Sequence, residues 1–407
     1  MAEITLTEKK SFKSPSIFIN PQSNPEGDII KEVVLGDSEN NIDGVVVNIA
    51  DLKVLTNIVK SEQTELTDYN RWEEKVLIMN PILPSLSTKS NGKIKRVIDM
   101  FDFGSELKKV VEKYNNGKSK NKVRQEDLYP LLEDKETIKE ILNKQLKIES
   151  DILVPPVVKL TAKRDFKTRI NSLKNIFETV DDLKTGNNDN NDNFDFKDKK
   201  IMFLFSIRPS VLEPPSKNEI ISILEENLPD IIGFELRDMD YEKTDTNKNL
   251  FEFLQKIKKK FSLPLLLFNI DEGGYLSYYY GVDVISLPIA SIPWFRQPSE
   301  PSVSIGKYYH PKKMRSISIS DLKEETKDED YRLPCNCEFC EEKKKLTNID
   351  TRGKEWSEFR KKHYLSVKNL EIKKLRGKGS IRGKLHELFK NSKIDYYDNY
   401  LPSPNDT

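Results

Sequence analysis

Lys200-Ile201-Met202-Phe203-Leu204-Phe205-Ser206-Ile207 is an almost unbroken apolar run of strand length. A strand with one wet face alternates apolar and polar side chains, whereas a strand covered on both faces does not. This run therefore predicts a strand buried between layers. The pattern repeats downstream. A helix is expected over 217–227, a strand at Ile231-Ile232-Gly233-Phe234-Glu235-Leu236, a helix over 249–261, a strand over 264–270, a short helix over 276–280 and a strand over 282–286. Upstream, strands are expected at 16–19, 44–50, 75–81 and 151–154, with 95–100 a further strand or a turn of helix. Helical spacing recurs over 51–60, 105–114, 134–148 and 166–180, with a polar loop over 115–124. Taking Ile17, Val46, Ile78, Val97, Leu153, Phe203, Phe234, Leu266 and Val284 as strand centres gives eight or nine. Buried strands alternating with amphipathic helices predict an α/β fold, a (β/α)8 TIM-type barrel rather than an open doubly wound sheet. No G-x-G-x-x-G motif argues for a dinucleotide fold.

After the last expected strand the chain crosses a proline-rich stretch, 293–301, and reaches Arg332-Leu333-Pro334-Cys335-Asn336-Cys337-Glu338-Phe339-Cys340. These hold all three cysteines of the chain. His363 follows in a segment that reads as helix. Three thiolates and one imidazole complete a tetrahedral set for Zn²⁺ and leave no open position for substrate. The other reading is a cluster of thiols with no metal. The expected layout is a barrel over 1–300 with a disordered insertion at 185–198, a zinc-binding subdomain over 301–370, and a basic helix with a polar tail over 371–407.

The 67 basic and 66 acidic residues nearly cancel, so the net charge of +1 points to no nucleic-acid partner by itself, and a basic face must be local. One such stretch carries Arg376, Lys378, Arg382 and Lys384 among glycines, which suits a phosphate backbone as well as it suits solvated surface. Clustered cysteines used for metal fit a reducing, cytoplasmic setting. The first residues contain no apolar core of a secretory signal, and no window is long and apolar enough to span a membrane. Acids at expected strand ends are Asp99, Glu235, Asp238, Asp240, Asp271 and Glu272. Asp271 and Glu235 are the catalytic candidates among them, and each could equally cap a helix or line a turn. Tyr278, Tyr279 and Tyr280, with Trp294 and Phe295, are either base-stacking or packing aromatics. His310 reads as exposed.

A barrel with C-x-C-x-x-C…H behind its last strands resembles the tRNA-guanine transglycosylase superfamily. Pro15 to Pro21 looks like the family's opening strand, Val45 to Ala50 like its next one, Gln145 to Ile152 like its "Q…GSDI" step, and Gly281-Val282-Asp283-Val284 like its "GVDMFD" strand. Family members exchange a guanine of tRNA for a 7-deazaguanine through an aspartate nucleophile. Here Ser286 stands at that aspartate's place, Asn80-Pro81 where an acidic "DSG" motif is expected, and Val157 where a substrate-reading aspartate is expected. The resemblance thus implies a transglycosylase-like tRNA-binding protein, non-catalytic or accessory, working as a homodimer or beside a catalytic transglycosylase. Two alternatives remain: an active exchanger on tRNA or DNA with relocated carboxylates, and a barrel used for protein assembly.

Overall fold

The computed structural model describes residues 3–7, 10–21, 24–35, 40–48, 75–81, 129–160, 163–185, 199–236, 244–268, 270, 272–289, 307–351 and 353–390. Two short strands, β1 (Glu3–Thr5) and β2 (Ser11–Lys13), form an antiparallel hairpin. Parallel strands then follow: β3 (Ser16–Asn20), β4 (Gly44–Asn48), β5 (Val76–Asn80), β6 (Ile152–Leu153), β7 (Lys159–Leu160), β8 (Lys200–Ile207), β9 (Ile231–Leu236), β10 (Leu265–Phe268) and β11 (Val284–Pro288). The ring runs β3-β4-β5-β6-β8-β9-β10-β11 and closes where Ile285 meets Ile17. It is a closed eight-stranded parallel barrel wrapped by helices. Eight strands close it without the expected strand at Val97, which lies outside the described residues.

β6 and β7 are two pieces of one edge. Ile152 pairs with Lys200 at the start of β8 and Leu160 with Ile207 at its end. Between them stand Pro155 and Pro156, which cannot donate to a ladder. The strand expected at 151–154 is β6, and β7 is a second piece beyond it.

Inside the barrel, Phe18, Val46, Val76, Ile78, Ile152, Met202, Leu204, Ile231, Leu266 and Val284 form one apolar cluster, sealed at the strands' N-terminal ends by Leu6 and Phe12 of the hairpin. The alternate residues, such as Ile17, Val45, Leu77, Phe203 and Phe205, face the helices. Those helices include α1 (Asn24–Ile30), α2 (Lys135–Lys147), α3 (Phe166–Thr185), α4 (Pro214–Glu226) and α5 (Thr244–Phe261), with a 3₁₀ segment, Glu272–Tyr280, between β10 and β11. The expected helices over 51–60 and 105–114, the loop over 115–124 and residues 186–198 lie outside the described residues.

At the N-terminal face, aspartates just ahead of strands clamp their neighbours. Asp151 accepts from Leu77 N (2.8 Å) and Lys10 Nζ (2.9 Å). Asp230 accepts from Ile201 N (3.0 Å) and Lys184 Nζ (3.2 Å), and Asp283 from Leu265 N (2.9 Å) and Lys258 Nζ (2.6 Å). Each carboxylate replaces the strand partner that a starting backbone N–H lacks. The Asp151 and Asp283 of the two resembling motifs are thus pins of the barrel floor.

Past the barrel come a hairpin, β12 (Tyr308–His310) and β13 (Arg315–Ile317), then α6 (Ile319–Thr326), α7 (Glu338–Lys343), α8 (Lys354–Leu375) and α9 (Ile381–Lys390). Tyr308, Leu333, Cys337, Cys340, Trp356 and Phe359 belong to a second small core, while Tyr364, Leu365, Val367, Ile372 and Leu375 join the barrel's. Helix α8 is therefore shared, its first half in one core and its second half in the other. It crosses the expected boundary at 370 without a break because no glycine or proline interrupts it.

Candidate metal centre and barrel mouth

The cysteine loop is tied at its neck. Leu333 N donates to Lys344 O (3.1 Å) and Leu346 N to Tyr331 O (3.0 Å), so residues 333–344 return on themselves. Cys337 caps α7, whose first turn brings Cys340 back toward it, and Cys337 N–H points at Cys335 Sγ (3.4 Å). His363 arrives from α8. Its Nδ1 lies 3.2 Å from Cys337 Sγ and 3.3 Å from Cys340 Sγ. The four donor atoms of Cys335, Cys337, Cys340 and His363 all lie within 4.8 Å of one another. His363, Cys337 and Cys340 are buried and Cys335 is partly exposed.

The other side of the imidazole is committed. Nε2 lies 2.7 Å from the Tyr309 carbonyl, which accepts its proton and leaves the Nδ1 lone pair facing the sulfurs. Aromatic rings wall the site: Tyr308 at 4.5 Å and Phe359 at 6.0 Å from the imidazole, both nearly parallel to it. Burial alone would lower the His363 pKa, but the hydrogen bonds and charge of Cys335 and Cys337 push it up to about 9. Hydrogen bonds from Cys337 and Cys340 hold Cys335 far below the thiol range, and those with Cys335 and Cys337 drive Cys340 far above it. Thiolates crowded into a buried site are accommodated by a cation, which a metal ion supplies. The set can hold a metal ion.

The barrel's other end changes character. Gly233 lies on β9 where an added Cβ would meet Met202 Sδ at 2.8 Å, so that position looks inward. Two residues on, Glu235 looks inward as well, at the C-terminal level. With it stand Asn20, Asn80, Ser206 and Ser286, all buried and each two residues beyond an apolar interior residue. Ser206 Oγ donates to Glu235 (2.6 Å). Ser286 Oγ has no hydrogen-bond partner among the described residues. Glu235 pairs across to Phe268, and Ser286 is next in register after the Leu267–Ile285 pair, so Glu235 and Ser286 flank Phe268 from either side. Of the candidate acids, Glu235 is placed at this level and Glu272 opens the 3₁₀ segment ahead of β11. Asp99, Asp238, Asp240 and Asp271 lie outside the described residues, as do Trp294 and Phe295.

The basic stretch divides. Arg376 is held by the protein itself, donating to the carbonyls of Pro15 (2.9 Å), Asn41 (3.1 Å) and Lys13 (2.9 Å) and pairing with Asp43. Lys384 Nζ donates to Leu375 O at the end of α8 (2.7 Å), and Arg382 lies over the Tyr279 ring at 5.9 Å. Lys378 is exposed. The structure thus keeps one of the four wholly at the surface. Tyr278 and Tyr280 are buried as packing, and Tyr278 OH donates to Ser16 O. The expectation of an exposed His310 is overturned: it is 1% exposed, and its Nε2 lies 2.9 Å from Glu325. Its strand lies between the two cores, which Tyr308 and Tyr309 join from opposite faces.

No protein-family model matches the chain, and no curated protein matches it. Solved structures do. One is a type I 3-dehydroquinate dehydratase from Clostridium difficile with covalently modified comenic acid, at 14% identity and a TM-score of 0.37, covering 72% of this chain and 92% of that one. The barrel itself is established by this chain's own strand register. No helix among the described residues is long and apolar enough to cross a membrane.

Proposed function

We propose that this chain is a divergent relative of the tRNA-guanine transglycosylases, holding a structural zinc ion and binding tRNA as a non-catalytic or accessory member of a 7-deazaguanine modification system. The observation that carries the reading is the Cys335/Cys337/Cys340/His363 set, built behind a closed barrel and anchored on the helix that returns to it. Three sulfurs and one nitrogen suit Zn²⁺, and four protein ligands leave it structural rather than catalytic. Zinc supplies the charge that lets three thiolates and an imidazole share one buried site.

The accessory role follows from Ser286. By the resemblance its hydroxyl takes the place of a carboxylate, and it makes no hydrogen bond among the described residues. A serine without a base is a poor nucleophile at neutral pH. Binding would draw on Lys378 and the surrounding basic surface, contributing affinity without sequence reading. The partner would be a second copy of this chain or a catalytic transglycosylase.

A second reading is favoured by Glu235, a buried carboxylate at the mouth, level with Ser286. It makes the chain an active base exchanger on tRNA or DNA. Exchange of labelled guanine into bulk tRNA and into DNA separates the two. The accessory reading expects tRNA binding at low salt and no incorporation. Incorporation that disappears in Glu235→Gln would replace it with the second reading. Failure to bind either nucleic acid would reject both and leave a barrel used for protein assembly.

A further inference from the structure

A buried ion pair lies between the ligand set and the barrel. Lys368 and Glu371, three residues apart on α8, are 0% and 4% exposed and meet at 2.9 Å. Lys368 Nζ also donates to Tyr309 OH (2.7 Å) and sits over the rings of Tyr309, Tyr275 and Tyr364 at 3.9, 5.0 and 5.1 Å. Glu371 accepts from two phenols, Tyr309 OH at 2.8 Å and Tyr275 OH at 2.6 Å. Burial and the neighbouring Glu371 carboxylate hold the Tyr275 phenol well above its ordinary range, so it remains a donor.

These contacts join two distant places. Tyr309 receives His363 Nε2 on its backbone carbonyl and holds Lys368 and Glu371 with its hydroxyl. Tyr275 belongs to the Glu272–Tyr280 segment, which leads into β11 and Ser286. From the sulfurs to the barrel the path is therefore His363, Tyr309, Lys368 with Glu371, then Tyr275. We propose that metal occupancy is transmitted along this path, so that loss of the ion loosens the Glu272–Tyr280 segment of the barrel.

The physical reason lies in what the ion fixes. A metal on Nδ1 fixes the imidazole's tautomer and keeps its Nε2 proton on the Tyr309 carbonyl. Without it, Nδ1 keeps only sulfur contacts at 3.2 and 3.3 Å, and the ring is held by its stacks on Tyr308 and Phe359 and by the Tyr309 carbonyl alone. The bond to the Tyr309 carbonyl then weakens, and with it the hold of the Tyr309 hydroxyl on Lys368 and Glu371. A buried ion pair tolerates a lost partner poorly, because no water replaces it. The response is therefore sharp, and Tyr275 is the residue through which the barrel receives it.

The inference rests on the zinc reading and is independent of tRNA. Hydrogen exchange of the full chain, loaded with Zn²⁺ and then stripped by a chelator, tests it. In the wild type, stripping is expected to raise exchange in 335–340 and also in 272–280, the latter by roughly tenfold. Tyr309→Phe is expected to exchange faster in 272–280 even when loaded, with little added by stripping. Tyr275→Phe cuts only the last link, so 335–340 still responds while the response of 272–280 is lost; it serves if Tyr309→Phe does not load metal. Unchanged exchange in 272–280 on stripping the wild type would overturn the proposal. So would a Tyr275→Phe chain whose 272–280 responds as the wild type does. Absence of tRNA binding with these responses intact would reject the functional reading alone.

Discussion

The imidazole of His363 lies flat on the phenol ring of Tyr308, with 4.5 Å between centroids and 10° between planes. Tyr308 is fully buried, and its hydroxyl lies 3.5 Å from Cys340 Sγ. One residue thus walls the nitrogen ligand and touches a sulfur ligand. Its pKa is driven far up by burial and by the Cys340 and Cys335 charges, so it stays a neutral donor.

Tyr308→Ala should therefore weaken zinc retention by about 10–100-fold, the usual effect of removing a supporting shell. Tyr308→Phe keeps the stack and loses only a weak contact to sulfur, and should cost far less. Competition with a chromophoric chelator measures both. Equal losses in the two variants would place the effect on the hydroxyl instead.

Lys368 and Glu371 are a matched pair in a dry place. Lys368→Met leaves Glu371 charged and buried, and should cost about 3–5 kcal/mol in denaturant unfolding. The double variant Lys368→Met, Glu371→Gln should recover part of that loss. If the single change costs no more than the double, the pair is not coupled.

The aspartate pins of the barrel floor make a pH prediction. Burial raises the Asp230 pKa, but the Ile201 N–H and the charges of Lys184 and Lys200 outweigh it and leave a net lowering. A lowered acid contributes stability above its unfolded value and loses it as pH falls through the folded one. The gap between wild type and Asp230→Asn should be about 1–2 kcal/mol near neutrality and should close below roughly pH 4. A gap that widened on acidification would contradict the pin.

Two neighbours in the basic stretch should part company. Arg376→Ala strips three carbonyls and Asp43 of their donor. It should cost about 2–4 kcal/mol in unfolding. Lys378→Ala should leave stability within about 0.5 kcal/mol and lower both tRNA affinity and its salt slope. Fluorescence titrations over a salt series give the second result, and thermal unfolding the first.

The barrel was readable from sequence because its strands are buried on both faces, and their runs, as at Lys200 to Ile207, carry no alternation. The split of β6 from β7 was less visible, since Pro155-Pro156 ends a strand without announcing a second piece beyond it. The ligand set was readable because spacing alone brings three cysteines to one loop. Its surroundings were not. Lys368 and Glu371 look like any solvated helix charges, and only the fold buries them under Tyr275 and Tyr309. His310 and Arg376 mislead for the same reason: a polar side chain reads as surface until a second element is known to cover it. Ser286 and Glu235 become a level of one barrel only when the register of β9, β10 and β11 is known.

The zinc content of the purified full-length chain tests the central claim most directly. Elemental analysis should find one zinc per chain in the wild type, with loss in Cys337→Ser and in His363→Ala. A folded wild-type chain without bound metal, or variants that keep the wild-type zinc content, would contradict it.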